Sequence, residues 1–502
     1  MSGRRRCCTM SRKITIALVL LLSATLISNA QVSQRKNIRF ELVKERNYAV
    51  MGKNIAGMRS DSTSISHAQL NGGYIPQSWV ASACAETIMH LKRFSMFGDF
   101  SFSHTSGYNM CGSMLTGSWP VDIYEFTPGR KTLQEYGLTG GISIDLSDRF
   151  RIGARLDFDA SNYAKLKDLR YTNYAMELSF APGFQWVGDN FSLGLSALIS
   201  RRSETIKAEQ IGESADTYYV FLDKGQFWGV YQPWTGGGVH LAEEGISGFP
   251  MKESSYGCAI EADGDKFFAE LSYIYASGVI GEKDATWFLF PSSSVYMTAA
   301  YIIASSAEVR HDLSLELSYR FHTLDESVIE KITNNGVTTR HIIGYNTIGT
   351  GSALEVSPCW KMLKKGAYDI SVSLGYSLES LLGSVQYPHL RLRNSHMASF
   401  GFEGNFYLLE SLLLNTAVGG RKGFVRMEET LSDMSVQASS SPYIQEDLNE
   451  KWMHDMLSPR LGLNLGLRYI FKNDIYVEAY GSCELWKANA LGRGGLKLGY
   501  TF

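Results

Sequence analysis

The stretch that decides the fold runs from Arg460 to Trp486 and reads RLGLNLGLRYIFKNDIYVEAYGSCELW. From Leu461 to Phe471 every second residue is leucine or aromatic, whereas most of the residues between them are small or polar. The alternation resumes at Ile475, after the turn-forming residues 472–474. Because successive side chains of a β-strand point to opposite faces, this pattern predicts two long antiparallel strands joined by a tight turn.

The same alternation recurs along most of the chain, in stripes of nine to fifteen residues. Strands of soluble sandwiches average about 5–6 residues, whereas strands of about 9–11 residues with polar partners are typical of transmembrane barrels. Seven short links alternate with eight long ones, as expected if one rim carries tight turns and the other carries extended loops. We therefore predict an all-β fold, an antiparallel transmembrane β-barrel of about sixteen strands starting at Phe94, with fourteen to eighteen allowed.

Composition excludes several other classes of protein. No apolar run of about 18 residues occurs after the extreme N-terminus, so a helical multispan membrane protein is excluded. Residues 1–30 have a basic start, an apolar core and a small-residue end at Ala30, which predicts a cleaved signal peptide, with a membrane anchor as the alternative. Cleavage would leave 43 of the 48 basic residues against all 50 acidic ones, a net charge of −7, which disfavours nucleic acid as a partner.

The predicted organisation has three parts. A signal peptide covers residues 1–30, a periplasmic or plug segment covers 31–91, and an outer-membrane barrel covers 92–502. The aromatic ending Tyr500-Thr501-Phe502 resembles the C-terminal signal that the barrel-assembly machinery reads. An even number of strands would place both termini in the periplasm.

Two resemblances extend this prediction. Ile123-Tyr124-Glu125, the run QEYGLTGG at 134–141, and KDLR at 167–170 resemble an uncharacterised Bacteroidota outer-membrane β-barrel family, a domain of unknown function. Asn54-Ile55-Ala56-Gly57-Met58 is similar to the Asn-Pro-Ala-Gly-Leu stretch of long-chain fatty-acid-transporter-type barrels, with Ile55 in place of proline. The second resemblance implies an N-terminal hatch in the lumen, with Asn54, Ala56 and Gly57 as candidate plug residues; an ordinary periplasmic extension is the alternative.

Strand parity assigns candidate residues to the lumen. A charge facing lipid near the bilayer midplane costs roughly 2–4 kcal/mol for Arg or Lys, so charged residues of the strands should face inward. The candidate lumen-lining residues are Arg151, Arg155, Asp157, Glu177, Glu316, Arg320, Arg468 and Glu478. Their mixed signs favour a salt-bridged interior over a strongly ion-selective pore, and a purely structural role is the default interpretation.

Two of the long links carry unusual compositions. Between 218 and 234 the chain is rich in aromatic rings, which serve sugar stacking, partner docking or folding back over the barrel mouth. The candidate loop-contact residues are Tyr218, Tyr219, Trp228 and Trp234, and packing of the loop on itself is the default. The acidic link 426–455 is predicted to be solvated, with divalent ions bridging it to lipopolysaccharide as a further option.

Nothing in the sequence indicates an enzyme, a cofactor or a bound metal. The ten histidines show no metal-ligand spacing and lie beside no recognisable nucleophile motif. The odd number of cysteines after residue 30 argues against a disulfide scaffold, although one bridge from Cys84 to Cys111 is open. The preferred function is a channel or transporter for an unidentified solute. The alternative is a structural or accessory barrel that docks partners, lipoproteins among them, through its long loops, with outer-membrane lipid around it.

Overall fold

The computed structural model describes residues 62–167, 170–208, 218–235, 238–239, 249–282, 285–306, 308–334, 337–364, 366–384, 390–430, 443–472, 474–486 and 489–501. The elements in chain order are β1 (Ser62–Ile75), β2 (Ser78–Leu91), β3 (Phe94–Ser113), β4 (Asp122–Asp145), β5 (Phe150–Lys165), β6 (Tyr171–Val187), β7 (Phe191–Ala208), β8 (Tyr218–Asp223), β9 (Trp228–Thr235), β10 (Gly238–Val239), β11 (Met251–Gly264), β12 (Phe267–Glu282), β13 (Ala285–Ser305), β14 (Val309–Asn334), β15 (Val337–Lys364), β16 (Tyr368–Gly383), β17 (Leu390–Leu409), β18 (Leu412–Thr430), β19 (Tyr443–Ile444), α1 (Glu446–Leu457), β20 (Arg460–Ile470), β21 (Ile475–Trp486) and β22 (Asn489–Thr501).

Eighteen of these strands close into an antiparallel barrel. Each wall strand pairs with the next wall strand along the chain; β7 therefore pairs with β11 and β18 with β20, because β8–β10 and β19 lie outside the wall. The ring closes where β1 pairs with β22, from His67 opposite Thr501 to Tyr74 opposite Gly494. The predicted fold class is confirmed, and the ring holds two strands more than the expected sixteen.

The two additional strands precede Phe94. β1 and β2 pair along their whole length, and β2 pairs with β3, so residues 62–91 belong to the barrel wall. The boundary predicted at residue 92 was therefore wrong. The outward face of β2 carries Ala81, Ala83 and Ala85, and such small residues leave the alternation of hydrophobicity too weak to detect. The remaining 31–61 lies outside the described residues, as does the signal segment.

The two rims of the barrel differ in construction. At one rim, the turn rim, short links join the strands, for example at 188–190 and 265–266. At the other, the loop rim, strands extend well past their neighbours: β14 and β15 remain paired up to Asn334 opposite Val337. The link predicted at 322–349 is therefore mostly strand, and part of the predicted acidic loop 426–455 is the helix α1. No helix among the described residues is long and apolar enough to cross a membrane.

The outer face of the barrel is apolar. On β20, Leu463 is 39% exposed and Leu465 is 55% exposed, and the same holds for alternate residues of other strands, among them Ile152, Leu156, Tyr174, Met176, Leu178, Leu193 and Leu496. A soluble protein rarely exposes so large a continuous apolar surface to water. A closed barrel with an apolar exterior matches the architecture of outer-membrane proteins, so the surface is a lipid-facing belt.

The main hydrophobic cluster lies at the loop rim rather than along the wall. It joins residues of the link 114–121 to buried side chains of the loop-rim ends of wall strands and of β8. Its members are Met114, Leu115, Val121, Ile123, Tyr171, Ile206, Val220, Leu222, Phe249, Met251, Ile280, Phe288, Phe290, Leu324 and Ile348. Because this cluster excludes water at one end of the barrel, it supports the segments that cover the mouth.

Candidate functional site: the lumen and its capped mouth

The inner wall carries ion pairs between neighbouring strands and within them. The Arg155 Nε lies 2.7 Å from an Asp157 carboxylate oxygen, and the Arg151 Nε lies 2.6 Å from Asp145 Oδ1. Elsewhere on the wall, on β21, Glu478 is paired with Arg468 at 2.7 Å and with Lys497 at 3.1 Å. The lumen is therefore lined by compensated charges of both signs.

Each predicted lumen-lining residue lies on the strand face opposite an exposed apolar row. On β5 the exposed residues Phe150, Ile152 and Leu156 have even numbers, and the candidates on that strand have odd ones. The Ser200 hydroxyl donates to Glu177 at 3.0 Å, and Arg320 borders two cavities. Their role in solute passage stays a prediction.

A hairpin made of β8 and β9, residues 218–235, crosses the mouth at the loop rim; we call it the cap hairpin. Its first strand pairs with the start of β4, with Asp122 opposite Asp223 and Tyr124 opposite Phe221. Its tip, residues 224–227, reaches β16 and β17. The ring has eighteen strands, and β16 is the ninth strand after β4 when the wall is followed through β5, β6, β7 and β11–β15. The hairpin therefore joins opposite sides of the barrel mouth.

The tip is fastened to the far wall by specific bonds. The Lys224 Nζ lies 2.6 Å from Glu326 on β14, and the Gln226 side-chain amide donates to the backbone oxygens of Leu381 at 3.1 Å and Arg391 at 3.2 Å. In turn, Arg391 Nη1 donates a hydrogen bond to the Gln226 backbone carbonyl at 2.7 Å. Three strands of the far wall, β14, β16 and β17, thus hold two residues of the tip, Lys224 and Gln226.

The backbone of the tip is strained. Gly225 has a φ of 119°, and Gln226 and Phe227 both have a φ of 59°. A positive φ is uncommon for residues other than glycine and persists where the surroundings fix it. The Asp223 carboxylate stabilises this turn by accepting from the backbone N–H of Gly225 at 2.8 Å and of Phe227 at 3.2 Å.

The second long link supports the other edge of the cap hairpin. β19 pairs with β9, with Ile444 opposite Trp228, and the Gln445 N–H donates to the Phe227 carbonyl at 2.8 Å. The helix α1 follows, and its Trp452 packs against Phe227 with ring centroids 6.4 Å apart. A small sheet of β4, β8, β9 and β19 therefore spans the mouth.

Buried carboxylates anchor the near side. Glu204 on β7 accepts the backbone N–H groups of Thr116 at 2.7 Å and Gly117 at 3.1 Å, and also the indole N–H of Trp119. Glu125 lies between Lys131 at 2.9 Å and Lys165 at 2.5 Å, all three essentially buried. Removing one partner of such a group would leave an unpaired buried charge, so these contacts fix the link 114–121 and the start of β4 in place.

Two carboxyl groups, one in the cap hairpin and one beside it on β4, are perturbed by their surroundings. Burial raises the pKa of Asp223 to about 7, with the neighbouring Asp122 adding to the rise and the backbone donors opposing it. Burial likewise raises the pKa of Asp122 to about 6, against the hydrogen bond from Ser113. Near neutral pH both groups are therefore close to their titration points.

Cavities bordered by described residues lie in the lumen and under the cap hairpin, and four of them bear on the site. One of about 400 Å³ borders Arg155, Glu177 and Arg320, and one of about 520 Å³ borders Arg468 and Glu478. A third, of about 540 Å³, is bordered by residues of β2 to β7 and of the link 114–121, serines and acids among them. The fourth, of about 420 Å³, lies directly beneath the cap hairpin and we call it the cap cavity. All lie within the size range of small-molecule sites.

The predicted loop-contact residues separate into different environments. Trp228 is 2% exposed and packs inside the cap, whereas Tyr219 is 54% exposed. Tyr218 and Trp234 pair at the open ends of β8 and β9, and their side chains lie outside the described part. The excursion thus folds back over the mouth, one of the three uses foreseen for its rings. Cross-mouth pairing between segments a hundred residues apart leaves no periodic signal, which is why sequence reasoning missed Lys224, Gln226 and Arg393.

The remaining predictions concerned an N-terminal plug, a disulfide and metal ligands. The plug candidates Asn54, Ala56 and Gly57 lie outside the described residues. Cys84 and Cys111 are both free, so the disulfide considered between them is not formed. In the described ranges, no group of three or more His, Cys, Asp or Glu side chains could hold a metal ion.

Comparisons with known proteins concern the fold and the family. A variant of the ferric enterobactin receptor of Pseudomonas aeruginosa is 8% identical, with 88% of this chain and 80% of that chain covered and a TM-score of 0.42. The ferric-catecholate import receptor Fiu of E. coli K12 is 6% identical, with 88% and 82% covered and a TM-score of 0.43. The FrpB iron transporter of Neisseria meningitidis is 10% identical, with 89% and 82% covered and a TM-score of 0.41.

These likenesses concern the fold alone, and no curated protein matches the chain. A family of unknown function matches residues 76–502, which is most of the chain and nearly the whole barrel. That match confirms the resemblance to a barrel family of unknown function, while the Bacteroidota origin stays a prediction. The chain belongs to the DUF6850 family, a family of unknown function.

Proposed function

We propose that this outer-membrane barrel is a channel or transporter for a small polar solute and that the cap hairpin is its gate. The observation that carries the proposal is the hairpin itself, which joins opposite walls of the mouth above a lumen lined with charged and hydroxyl side chains. A polar lumen alone also suits a barrel with a purely mechanical role. Such a barrel has no need of a cap held across its mouth by separate bonds at the tip.

In this proposal the loop rim is extracellular and the turn rim is periplasmic. Outer-membrane barrels carry short periplasmic turns and longer extracellular loops, and here the cap hairpin and α1 both belong to the rim with the long links. The gate would then meet the solute from outside the cell. Epitope tags at Asn473 and between 208 and 218 test the orientation, and surface labelling of the Asn473 tag alone would reverse it.

Single-channel conductance in planar bilayers tests the gate. The wild-type chain is compared with a variant in which residues 218–235 are replaced by a short Gly-Ser linker, after heat-modifiable migration on a gel has shown that both are folded barrels. Tyr219→Ser serves as the control, because that side chain is 54% exposed and lies on the cap without anchoring its tip. We expect the deletion to raise conductance at least fivefold. A folded deletion variant that conducts no more than wild type would contradict the gate.

A second candidate function is a structural or accessory barrel that docks partner proteins. The observation in its favour is a group of exposed rings at the loop rim, Tyr108, Phe126, Tyr219 and Tyr231, of which the last two belong to the cap hairpin. Aromatic side chains are enriched at protein interfaces. Cross-linking from position 219 in whole cells separates the two candidates, because a docking barrel gives one defined product whereas a gate that binds only solute gives none.

A further inference from the structure

The cap cavity is built from both the cap hairpin and the far wall. The hairpin supplies residues 223–227, β14 supplies Arg320 and Leu324, β17 supplies Arg393, and α1 supplies Trp452. Phe290 and Leu324, each 2% exposed, form an apolar part of the lining. The cavity therefore combines a charged side with an apolar side, and opening the hairpin would remove one of its walls.

Arg393 is a buried charged group of this cavity whose donors are only partly matched. Its side chain is 7% exposed, and within the described residues its Nε and Nη1 meet no hydrogen-bond acceptor. Its Nη2 lies 3.6 Å from Glu379, a long ion pair, and its guanidinium lies 4.0 Å from the centroid of the Trp452 ring. A buried guanidinium with two unmatched nitrogens has strong, charge-assisted N–H donors left for an anionic oxygen such as that of a carboxylate or sulfate.

Three acids border the cavity, and each is already engaged: Glu379 pairs with Arg393, and the two aspartates accept hydrogen bonds from the chain. Both Asp223 oxygens accept backbone N–H groups of the hairpin tip, and Asp122 Oδ1 accepts from the Ser113 hydroxyl and from the Ile123 N–H, each at 2.7 Å. Among the described residues that line this cavity, buried unmatched donors therefore exceed buried unmatched carboxylate acceptors. One neutral acceptor is also unmatched among the described residues, because Gln226 uses its amide N–H for two carbonyls while its Oε1 is buried without a donor.

We propose that the cap cavity binds a small organic anion that also carries a hydroxyl or amide N–H donor. Arg393 takes the carboxylate or sulfate, Arg320 adds positive charge, and the Gln226 side-chain oxygen accepts the donor of the solute. The apolar body of the solute packs on Phe290 and Leu324. This inference deepens the proposed function and rests on it only for the fate of the bound solute, since binding itself requires no transport. A cavity of about 420 Å³ accommodates a molecule of monosaccharide size.

Titration calorimetry of the full chain in detergent micelles at pH 7 tests the site. The probes are galacturonate, gluconate and N-acetylglutamate, and galactose is the uncharged counterpart of the first. We expect at least one anion to bind, and galactose to bind at least tenfold more weakly than galacturonate if galacturonate is that anion. Arg393→Gln should weaken binding of the anion at least tenfold. Arg310→Gln is the matched control, because Arg310 lies at the turn-rim end of β14, 49% exposed and paired with Asp312.

Glu379→Gln gives a prediction of opposite sign and does not remove the guanidinium. Without the carboxylate at 3.6 Å, Arg393 loses its competing partner, so anion binding should strengthen several-fold. If the Arg393 variant fails to fold, this variant alone decides. The proposal is overturned if none of the three anions binds, if galactose binds as tightly as galacturonate, or if Glu379→Gln leaves a bound anion no tighter. If the wild-type chain binds an anion but the variant lacking residues 218–235 does not conduct more than wild type, the channel is rejected and the site is kept. If that variant conducts more but the wild-type chain binds no anion, only the site is rejected.

Discussion

Two glycines of β22 make room for tyrosines that bridge three strands. Gly499 and Gly495 lie against Tyr476 and Tyr480 of β21, so closely that an added Cβ would collide with each ring. The hydroxyls pass over β22 and donate to β1, from Tyr476 to Gln69 at 2.8 Å and from Tyr480 to Asn71 at 2.9 Å. At the residue scale, the seam that closes the barrel therefore depends on the absence of two side chains.

Replacing Gly499 by alanine should displace Tyr476 and break its hydrogen bond across the seam. The loss of a partly buried hydrogen bond and the steric shift together cost about 1–3 kcal/mol. The temperature at which the folded barrel converts to the unfolded band on a gel should therefore fall. Gly492→Ala on the same strand is the control, since open space surrounds that position among the described atoms. Equal stability of the two variants would show that the tyrosine contact does not support closure.

Asp223 gives the cap hairpin a pH dependence. Its folded pKa of about 7 lies above the ordinary value of 3.8, so the native cap favours the protonated form. The stabilisation linked to this group is fully present below pH 3.8 and is lost as the pH rises through about 7. Asp122, with a pKa of about 6, acts in the same direction. Conductance should therefore increase between pH 6 and pH 8.

Asp223→Asn should reduce this pH response, because an amide at that position has no proton to lose. Asp148→Asn at the turn rim, an exposed position, should keep the wild-type profile. The measurement is open probability in planar bilayers across pH 5 to pH 9. A profile that is identical in wild type and Asp223→Asn would exclude this carboxyl as the titrating group.

At the scale of the element, the cap hairpin is held by few bonds at its tip, and the ion pair of Lys224 with Glu326 is the one that can be reversed. The Lys224 side chain is 12% exposed and the Glu326 side chain is 26% exposed, so we take the contribution of the pair to closure as about 1 kcal/mol. That free energy corresponds to a factor of about five in the ratio of closed to open barrels. Lys224→Glu should open the gate by at least that factor. Adding Glu326→Lys should restore closure by exchanging the charges. If the double variant conducts as much as the single one, this pair does not latch the cap.

The elements differ in how far they could be predicted from the sequence. β20 and β21 carry leucines, aromatics and small residues in strict alternation, and both were identified with their turn. β1 and β2 were missed because serine, alanine and glycine fill many of their positions. The cap hairpin was recognised only as an aromatic excursion. Its position depends on pairing between Ile123 and Leu222, which local periodicity cannot reveal.

At the scale of the whole molecule, a single parity rule divides the side chains between lipid and lumen. Direct partners in an antiparallel pair share a face, so Leu463 stands beside Val418 and Cys483 on the outside, and Asn464 stands beside Ala417 and Ser482 on the inside. Asn464 borders the same cavity as Arg468 and Glu478. The exposed face of one strand therefore fixes the exposed faces of its neighbours around the ring.

Neighbouring substitutions on β20 should consequently have opposite outcomes. Leu463→Arg places a charge in the lipid-facing belt at a cost of roughly 2–4 kcal/mol near the midplane, a large share of a typical net stability, so the folded fraction should fall. Asn464→Arg places the same side chain in a polar lumen near Glu478, where water and carboxylates receive it, so folding should be retained. Heat-modifiable migration measures the folded fraction in both. Because the two changes add the same charge one residue apart, equal tolerance would mean that the Leu463 face does not meet hydrocarbon, and the membrane-spanning barrel would have to be abandoned.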